Sequence, residues 1–514
     1  MMQKTRLATG SAALLAVIAA MASPSVQAAE PVVKGPESVA DWFNAGNTFI
    51  ANGKALYNNT RRAKNVILIV GDGMGISTQT AARILEGQMK GKTGEENRLS
   101  FETLPYAAFS KTYSWDQQTS DSAPTMTAMM TGYKAREGML SVNHTTARAE
   151  CDATKINANL LTTLLELAAA NGRATGVVST ARLTHATPAA TYAHTAVRDW
   201  EADSNLPAGC GVKDIARQLI EVSPAVKTSL KVAMGGGRTY FLPKSMNDPE
   251  YASTKGRRND GRNLTAEWTS TRAVNGASAA YVWNKTQFDA IDPTTTDHLL
   301  GLFEPSHMQY EADRAGDVAG EPSLTEMTEK SIKMLQKSPN GYFLHIEAGR
   351  IDHAHHAGNA KRALIDTIEL SNAVRRAMAL TSEQDTLIIV TADHSHTFTI
   401  AGYPHRGNDI LGVVKEVPGT DGNLPIASVD SNGMPYTTLG YANGPGYRGA
   451  VARNLTGVDT TALNFLQEAA IPLGSETHAG EDVGIWARGP KAYLVRGSME
   501  QNWIFHVMRE AFGF

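Results

Sequence analysis

Short, unbroken apolar runs recur along this chain with helical patterns between them, and that rhythm constrains the fold more than any other feature. Val66–Val70, Gly176–Ser179, Leu230–Met234, Gly341–Ile346, Thr386–Thr391 and Val483–Ala487 have strand length and no polar alternation, which reads as strands buried on both faces. Asn159–Ala170, Val212–Glu221, Leu324–Gln336, Lys361–Leu380 and Thr460–Ala470 space their apolar residues as helices do. The alternation predicts an α/β fold, a large, mostly parallel central sheet with helices on both faces. With 514 residues, 42% of them hydrophobic, the chain has material for such a core. Two stretches break the rhythm. Residues 401–477 hold Pro404, Pro418, Pro425, Pro435 and Pro445 among many Gly and Asn, which predicts an irregular insertion. A second, loop-rich insertion is expected over about 248–325, with Gly256 to Gly261 as a turn cluster. Residues 29–60 read as an N-terminal arm whose helix, Glu37–Tyr57, carries Trp42, Phe43, Phe49 and Ile50. The main α/β domain is therefore expected over 61–400 and 478–514.

At the N-terminus, Lys4 and Arg6 precede the apolar run Ala12–Met21, and Val26-Gln27-Ala28 puts small residues at a cleavage position. This is the pattern of a signal peptide over residues 1–28. No later run reaches the length of a membrane span, so no membrane anchor is expected, and the protein reads as exported, periplasmic or secreted. Cys151 and Cys210 are the only cysteines; in an oxidising compartment they read as a disulfide, with two free thiols as the alternative. A net charge of −3 gives no broad basis for a nucleic-acid-binding surface, but leaves room for a local basic site for a small anion.

In an open α/β sheet, ligands gather beyond the carboxyl ends of the strands, and here those ends are rich in metal-ligand residue types. Val66–Val70 runs into Gly71-Asp72-Gly73-Met74-Gly75, and Thr386–Thr391 into Ala392-Asp393-His394. Phe343–Ile346 is followed by Glu347 and then by Arg350-Ile351-Asp352-His353-Ala354-His355-His356. Glu476-Thr477-His478 comes shortly before Val483. Of the 14 histidines, His345, His353, His355, His356, His394 and His396 fall within one stretch, beside Asp352 and Asp393. Mixed imidazole and carboxylate donors suit zinc, whereas oxygen-only sets suit magnesium or calcium. Each motif alone is ordinary, since Asp-Gly is usually a turn; their shared placement at strand ends is what points to a metal centre. Ser122, in Asp121-Ser122-Ala123-Pro124, sits where a helix should begin, so it is either a simple cap or a nucleophile in an electropositive position. Arg198 offers a fork for two oxygens of a phosphate, or a surface ion pair with Asp199.

Taken together these motifs, with Thr184-His185-Ala186-Thr187-Pro188, resemble the alkaline phosphatases, and most closely the animal-type branch. The resemblance implies phosphomonoester hydrolysis by a homodimer with two Zn2+ and one Mg2+ per site. One zinc would be held by Asp352, His356 and His478. The second would be held by Asp72, Asp393 and His394, with Ser122 as exchangeable ligand and as the nucleophile that forms a phosphoserine. Magnesium would take Asp72, Thr187 and Glu347. His185 and His353 would stand nearby, and Arg198 would clamp the phosphate. Glu250, Phe303 through its carbonyl, Glu304 and Glu321 match a fourth, oxygen-lined site suited to Ca2+, with Glu321 replacing an expected Asp. Residues 401–477 would form a dimer-contacting crown, and Cys151 and Cys210 match a disulfide of that branch. The sequence departs from the family pattern at Thr119, Pro124 and Met126, around the nucleophile. Phosphodiesterases or sulfatases of the same superfamily, or a non-catalytic binder, are the alternative readings.

Overall fold

The computed structural model describes residues 38–417, 426–449 and 454–514; the expected signal peptide, Glu37, Pro418 and Pro425 lie outside them. The chain divides into two units, 1–55 and 56–514. In the first, a helix runs over Val39–Ala55, close to the predicted bounds.

The second unit is built on one ten-stranded sheet. Its strands are β1 (Asn65–Gly71), β2 (Tyr106–Lys111), β3 (Ala174–Arg182), β4 (Leu230–Gly236), β5 (Ala279–Val282), β6 (His298–Leu302), β7 (Tyr342–Ala348), β8 (Thr386–Ala392), β9 (Val483–Arg488) and β10 (Ser498–Glu500). They lie in the order β10-β2-β9-β8-β1-β7-β3-β4-β6-β5. Every pairing from β8 to β5 is parallel, and only β9 runs against its neighbours β2 and β8. The sheet separates two cores. Val66, Leu68 and Val70 of β1 pack with Met126, Met129, Ile504 and Met508 on one face. Ile67 and Ile69 pack with Leu335, Leu364 and Val374 on the other. A strand covered on both faces has no polar side, which explains the continuous apolar runs.

The predicted strands and the helices Leu324–Leu335 and Ala360–Leu380 lie where expected. Two predicted helices shorten to Leu164–Ala170 and Ile215–Ile220, because Thr163 and Asp214 cap them with their side chains and fix the start. One expectation is corrected outright: Thr460–Ala470 is not helical and ends in a strand over Ala469–Pro472. Its carbonyls serve elsewhere, Leu463 O accepting from Asn359 Nδ2 at 2.7 Å and Thr461 O from Lys361 Nζ at 2.7 Å. The 248–325 stretch is likewise more than an appendage, since it supplies β5 and β6 to the sheet edge. The described residues of 401–477 are mostly loops, and two of their strands, Leu439–Gly444 and Ala469–Pro472, form a three-stranded sheet with Phe398–Ile400. Cys151 and Cys210 form a disulfide, with Cα atoms 4.8 Å apart. No helix among the described residues is long and apolar enough to cross a membrane.

Candidate active site

Parallel pairing puts the ends of β1, β8, β7 and β3 side by side. Gly71 pairs with Ala392, so Asp72 and Asp393 leave the sheet as neighbours; Glu347 pairs with Val70 and with Ser179. The turn after β1 needs a glycine at Gly73, where φ is +68° and a Cβ would come within 2.4 Å of the His396 ring. Gly73 N–H donates to Asp393 Oδ1 at 3.0 Å, tying the two strand ends together.

Two clusters of nitrogen and oxygen donors form there. In the first, His356 Nε2 lies 3.4 Å and His478 Nε2 3.3 Å from Asp352 Oδ1. The two imidazole nitrogens are 3.2 Å apart. In the second, His394 Nε2 lies 3.4 Å from Asp72 Oδ1 and 3.3 Å from Asp393 Oδ2. Ser122 Oγ joins it at 3.2 Å from His394 Nε2 and 3.5 Å from Asp72 Oδ1. A tetrahedron with metal–ligand bonds near 2.0–2.1 Å has edges of about 3.3 Å, the spacing found in both clusters. The ring tautomers agree. His356 Nδ1 donates to Glu476 O at 2.6 Å, His478 Nδ1 to Ser120 O at 2.8 Å, and His394 Nδ1 faces Ser395 O at 3.4 Å. Each ring therefore turns an Nε2 lone pair inward. His355 has both nitrogens engaged, by Thr78 Oγ1 and Tyr441 OH, and stands outside the clusters.

A third set consists only of oxygens. Asp72 Oδ2, Thr187 Oγ1 and Glu347 Oε1 are all buried without a hydrogen-bond partner. A buried unpartnered oxygen is costly, and three of them from three elements fit a hard cation such as magnesium. His185 lies beside this set, with one ring nitrogen within 4.8 Å of ligand atoms of Asp72 and Glu347. Burial raises Asp72 well above the usual carboxylate range, and the negative charges of Asp393, Asp352 and Glu347 raise it further. Burial likewise moves Glu347 up to about 7. Asp352 goes the other way, because His356, His396 and His478 outweigh its burial.

Ser122 opens a ten-residue helix, Ser122–Thr131, with extended Asp121 preceding it. Its hydroxyl thus faces both the second donor cluster and the positive end of a helix. Asp121 accepts from Arg198 Nη1 at 2.9 Å, which holds the guanidinium beside the residue preceding Ser122, and Arg198 Nη2 reaches His185 Nε2 at 3.0 Å. Arg198 therefore pairs with Asp121 and not with Asp199.

The oxygen-lined site contains a difference from the expected ligand set. Glu250, Glu304 and Asp317 bring one carboxylate oxygen each within 4.8 Å of the others. Glu321 Oε1 instead accepts from Gln309 N at 2.9 Å, and its Oε2 is buried without a partner. Both oxygens of Asp317 are also buried without a partner. The Phe303 ring is packed in the core. Asp317 carries no motif signal, since an aspartate in a Gly-rich turn is indistinguishable from a turn residue. Two further groups were not singled out by sequence. His396 bridges Asp352 Oδ1 at 2.8 Å and Glu476 Oε2 at 2.5 Å, and these carboxylates raise it to about 9 despite its burial. His307 packs against His353. Histidine density marked the first only as part of a motif; nothing marked the second.

Residues 63–514 match the family model for alkaline phosphatase. The tissue-nonspecific alkaline phosphatase of Felis catus is 45% identical over 93% of this chain and 89% of its own. An alkaline phosphatase of Gadus morhua is 44% identical over 88% of this chain and 92% of its own. The solved alkaline phosphatase of Thermus thermophilus shares the fold with a TM-score of 0.62 at 24% identity, covering 89% of this chain and 92% of that one. The enzyme of the Antarctic bacterium TAB5 does so with a TM-score of 0.59 at 21% identity, covering 88% and 99%. On these matches the chain belongs to the alkaline phosphatase family and is a phosphatase.

Proposed function

We propose that the enzyme hydrolyses phosphate monoesters through a phosphoserine on Ser122. One observation carries this reading: Ser122 Oγ completes a cluster of donors with Asp72, Asp393 and His394 at the edge lengths of a tetrahedral zinc site, beside the Asp121-anchored Arg198. Asp352, His356 and His478 would hold one zinc, Asp72, Asp393 and His394 the other, and Asp72, Thr187 and Glu347 magnesium. When bound, these ions supply Lewis-acid polarisation and neutralise charge on the phosphoryl oxygens.

The chain's own residues do the rest. Arg198 takes two non-bridging oxygens of the phosphate in its fork and fixes phosphorus over the helix N-terminus. Ser122 Oγ attacks phosphorus in line, the bond to the ester oxygen breaks, and the released alcohol carries away the proton that Ser122 loses. His185 holds Arg198 at the correct angle through its Nε2, and His353 closes the pocket beside it. Water then attacks the phosphoserine, returning a proton to Ser122 and releasing inorganic phosphate. Labelled phosphate should be trapped on the native protein under acid quench and absent from Ser122→Ala; undiminished labelling of that variant rejects the assignment.

A fourth cation, calcium by its all-oxygen donors, would sit on Glu250, Glu304 and Asp317 with the Phe303 carbonyl, while Glu321 stands beside it. The enzyme is further proposed to be exported after removal of residues 1–28 and to act as a homodimer whose contact includes 401–477. Sedimentation of the purified protein at monomer mass would overturn the last point.

A further inference from the structure

The β10 end of the sheet carries a groove that the reaction above does not use. β10 leads through Gln501 and Asn502 into the helix Trp503–Phe512, which packs against the helix Ser122–Thr131. Two side-chain bonds fix the turn between them. Gln501 Nε2 donates to Asp393 O at 2.7 Å, and Asn502 Nδ2 donates to Gly132 O, at the end of the Ser122 helix, at 2.9 Å. Beside this turn lies an open groove of about 290 Å³, lined by Leu494, Arg496, Met499, Trp503, His506 and Val507.

Its floor is apolar and its rim is basic. Met499 and Val507 are 4% and 6% exposed, whereas Trp503 is 49% exposed. Trp503, His506 and Val507 stand three and four residues apart, so they share one face of the helix. An indole left half in water beside an apolar floor gains from a ring that covers it. Arg496, on the loop before β10, is exposed, and among the described residues no carboxylate pairs with it. The acids of the adjoining segments are engaged elsewhere: Glu500 by Lys111 Nζ at 2.8 Å and Lys134 Nζ at 3.2 Å, and Glu510 by Lys491 Nζ at 3.1 Å. The exposed Arg509, one turn beyond His506, adds a second positive charge.

A cation is therefore disfavoured in the groove, and a neutral ring leaves the Arg496 guanidinium unmatched. We infer that the groove is a binding site for an aromatic carboxylate, with its ring laid on Trp503 over Met499 and Val507 and its carboxylate in the fork of Arg496. The volume is close to the lower bound of about 300 Å³ for ligand pockets, which suits a ligand of one or two fused rings. The turn that carries Trp503 is already held by Asp393 O and Gly132 O, so little ordering is left for the ligand to impose.

The test is calorimetric titration of the native, metal-loaded enzyme with 2-naphthoate, in an excess of inorganic phosphate that keeps the carboxylate out of the phosphate pocket. One site per chain is expected, with a Kd of about 0.1–1 mM. Arg496→Gln and Trp503→Ala should each weaken it about tenfold with phosphatase activity retained, and the uncharged 2-naphthamide should bind the native enzyme about tenfold more weakly than 2-naphthoate. No detectable site, affinity within twofold of native in either folded variant, or equal affinity for the amide overturns the proposal. The amide comparison needs no variant, so it decides even where a substitution prevents folding. A lower oligomeric state of Trp503→Ala on sedimentation would make the groove an interface between copies of the chain and would also overturn it.

Discussion

The strand-end donor clusters and the carboxylate cluster of Glu250, Glu304 and Asp317 solve the same problem in opposite ways. At the strand ends, neutral imidazoles alternate with carboxylates, each ring is oriented by a backbone carbonyl, and His396 places a positive charge against Asp352. That arrangement is held by the chain's own hydrogen bonds. Among the described residues, the carboxylate cluster pairs only with Arg238, at 2.8 Å from Glu250. Burial therefore moves Glu304 up to about 8 and Glu321 up to about 9, with neighbouring carboxylates contributing. Burial raises Asp72 and Glu347 at the strand ends as well, but there histidines pull Asp352 down, and the carboxylate cluster has no such histidine partner among the described residues.

The largest effect is expected at Ser122, the proposed nucleophile. Ser122→Ala should lower kcat by roughly 10³-fold or more while leaving both clusters able to bind zinc, as read by metal analysis after gel filtration. Next comes the orientation of the first cluster. His396→Ala removes the bridge between Asp352 and Glu476, and zinc affinity measured by chelator competition should fall about 10–100-fold; unchanged affinity would mean that Asp352 needs no such support. In the carboxylate region, Asp317→Asn should remove most of the calcium-induced rise in melting temperature. Glu321→Gln should retain it, and the reverse result would restore Glu321 as the ligand. The smallest effect is a pH slope. Glu304 and Glu321 have pKa values raised in the fold, so their contribution is fully present below about 4.5 and is lost as pH rises through about 8 to 9. Calcium-free protein should lose thermal stability between pH 5 and 9 by more than the calcium-loaded protein does, and parallel curves would show that no carboxylate there takes up protons.

The same contrast governs what was legible in the sequence. Strands buried on both faces announce themselves as unbroken apolar runs, and parallel topology then gathers Asp72, Glu347 and Asp393 without further information. Strands toward the two ends of the sheet do not: β2 alternates exposed and buried residues, and β5 and β6 lie in a stretch punctuated by turns. Thr460–Ala470 has helical spacing but gives its carbonyls to the start of the Ala360–Leu380 helix, a tertiary demand invisible in its own residues. Among site residues, the histidine-dense motifs stood out. Asp317 and His307 are single residues in loops, and only the folding of distant segments against them gives them neighbours.

The proposed reaction requires two cations held close together with Ser122 facing one of them. Crystals of the zinc-loaded enzyme, measured at the zinc absorption edge, should show one anomalous peak among Asp352, His356 and His478. A second peak is expected about 4 Å away, among Asp72, Asp393 and His394, with Ser122 Oγ in its coordination shell. A single peak, or zinc bound away from these six residues, would contradict it.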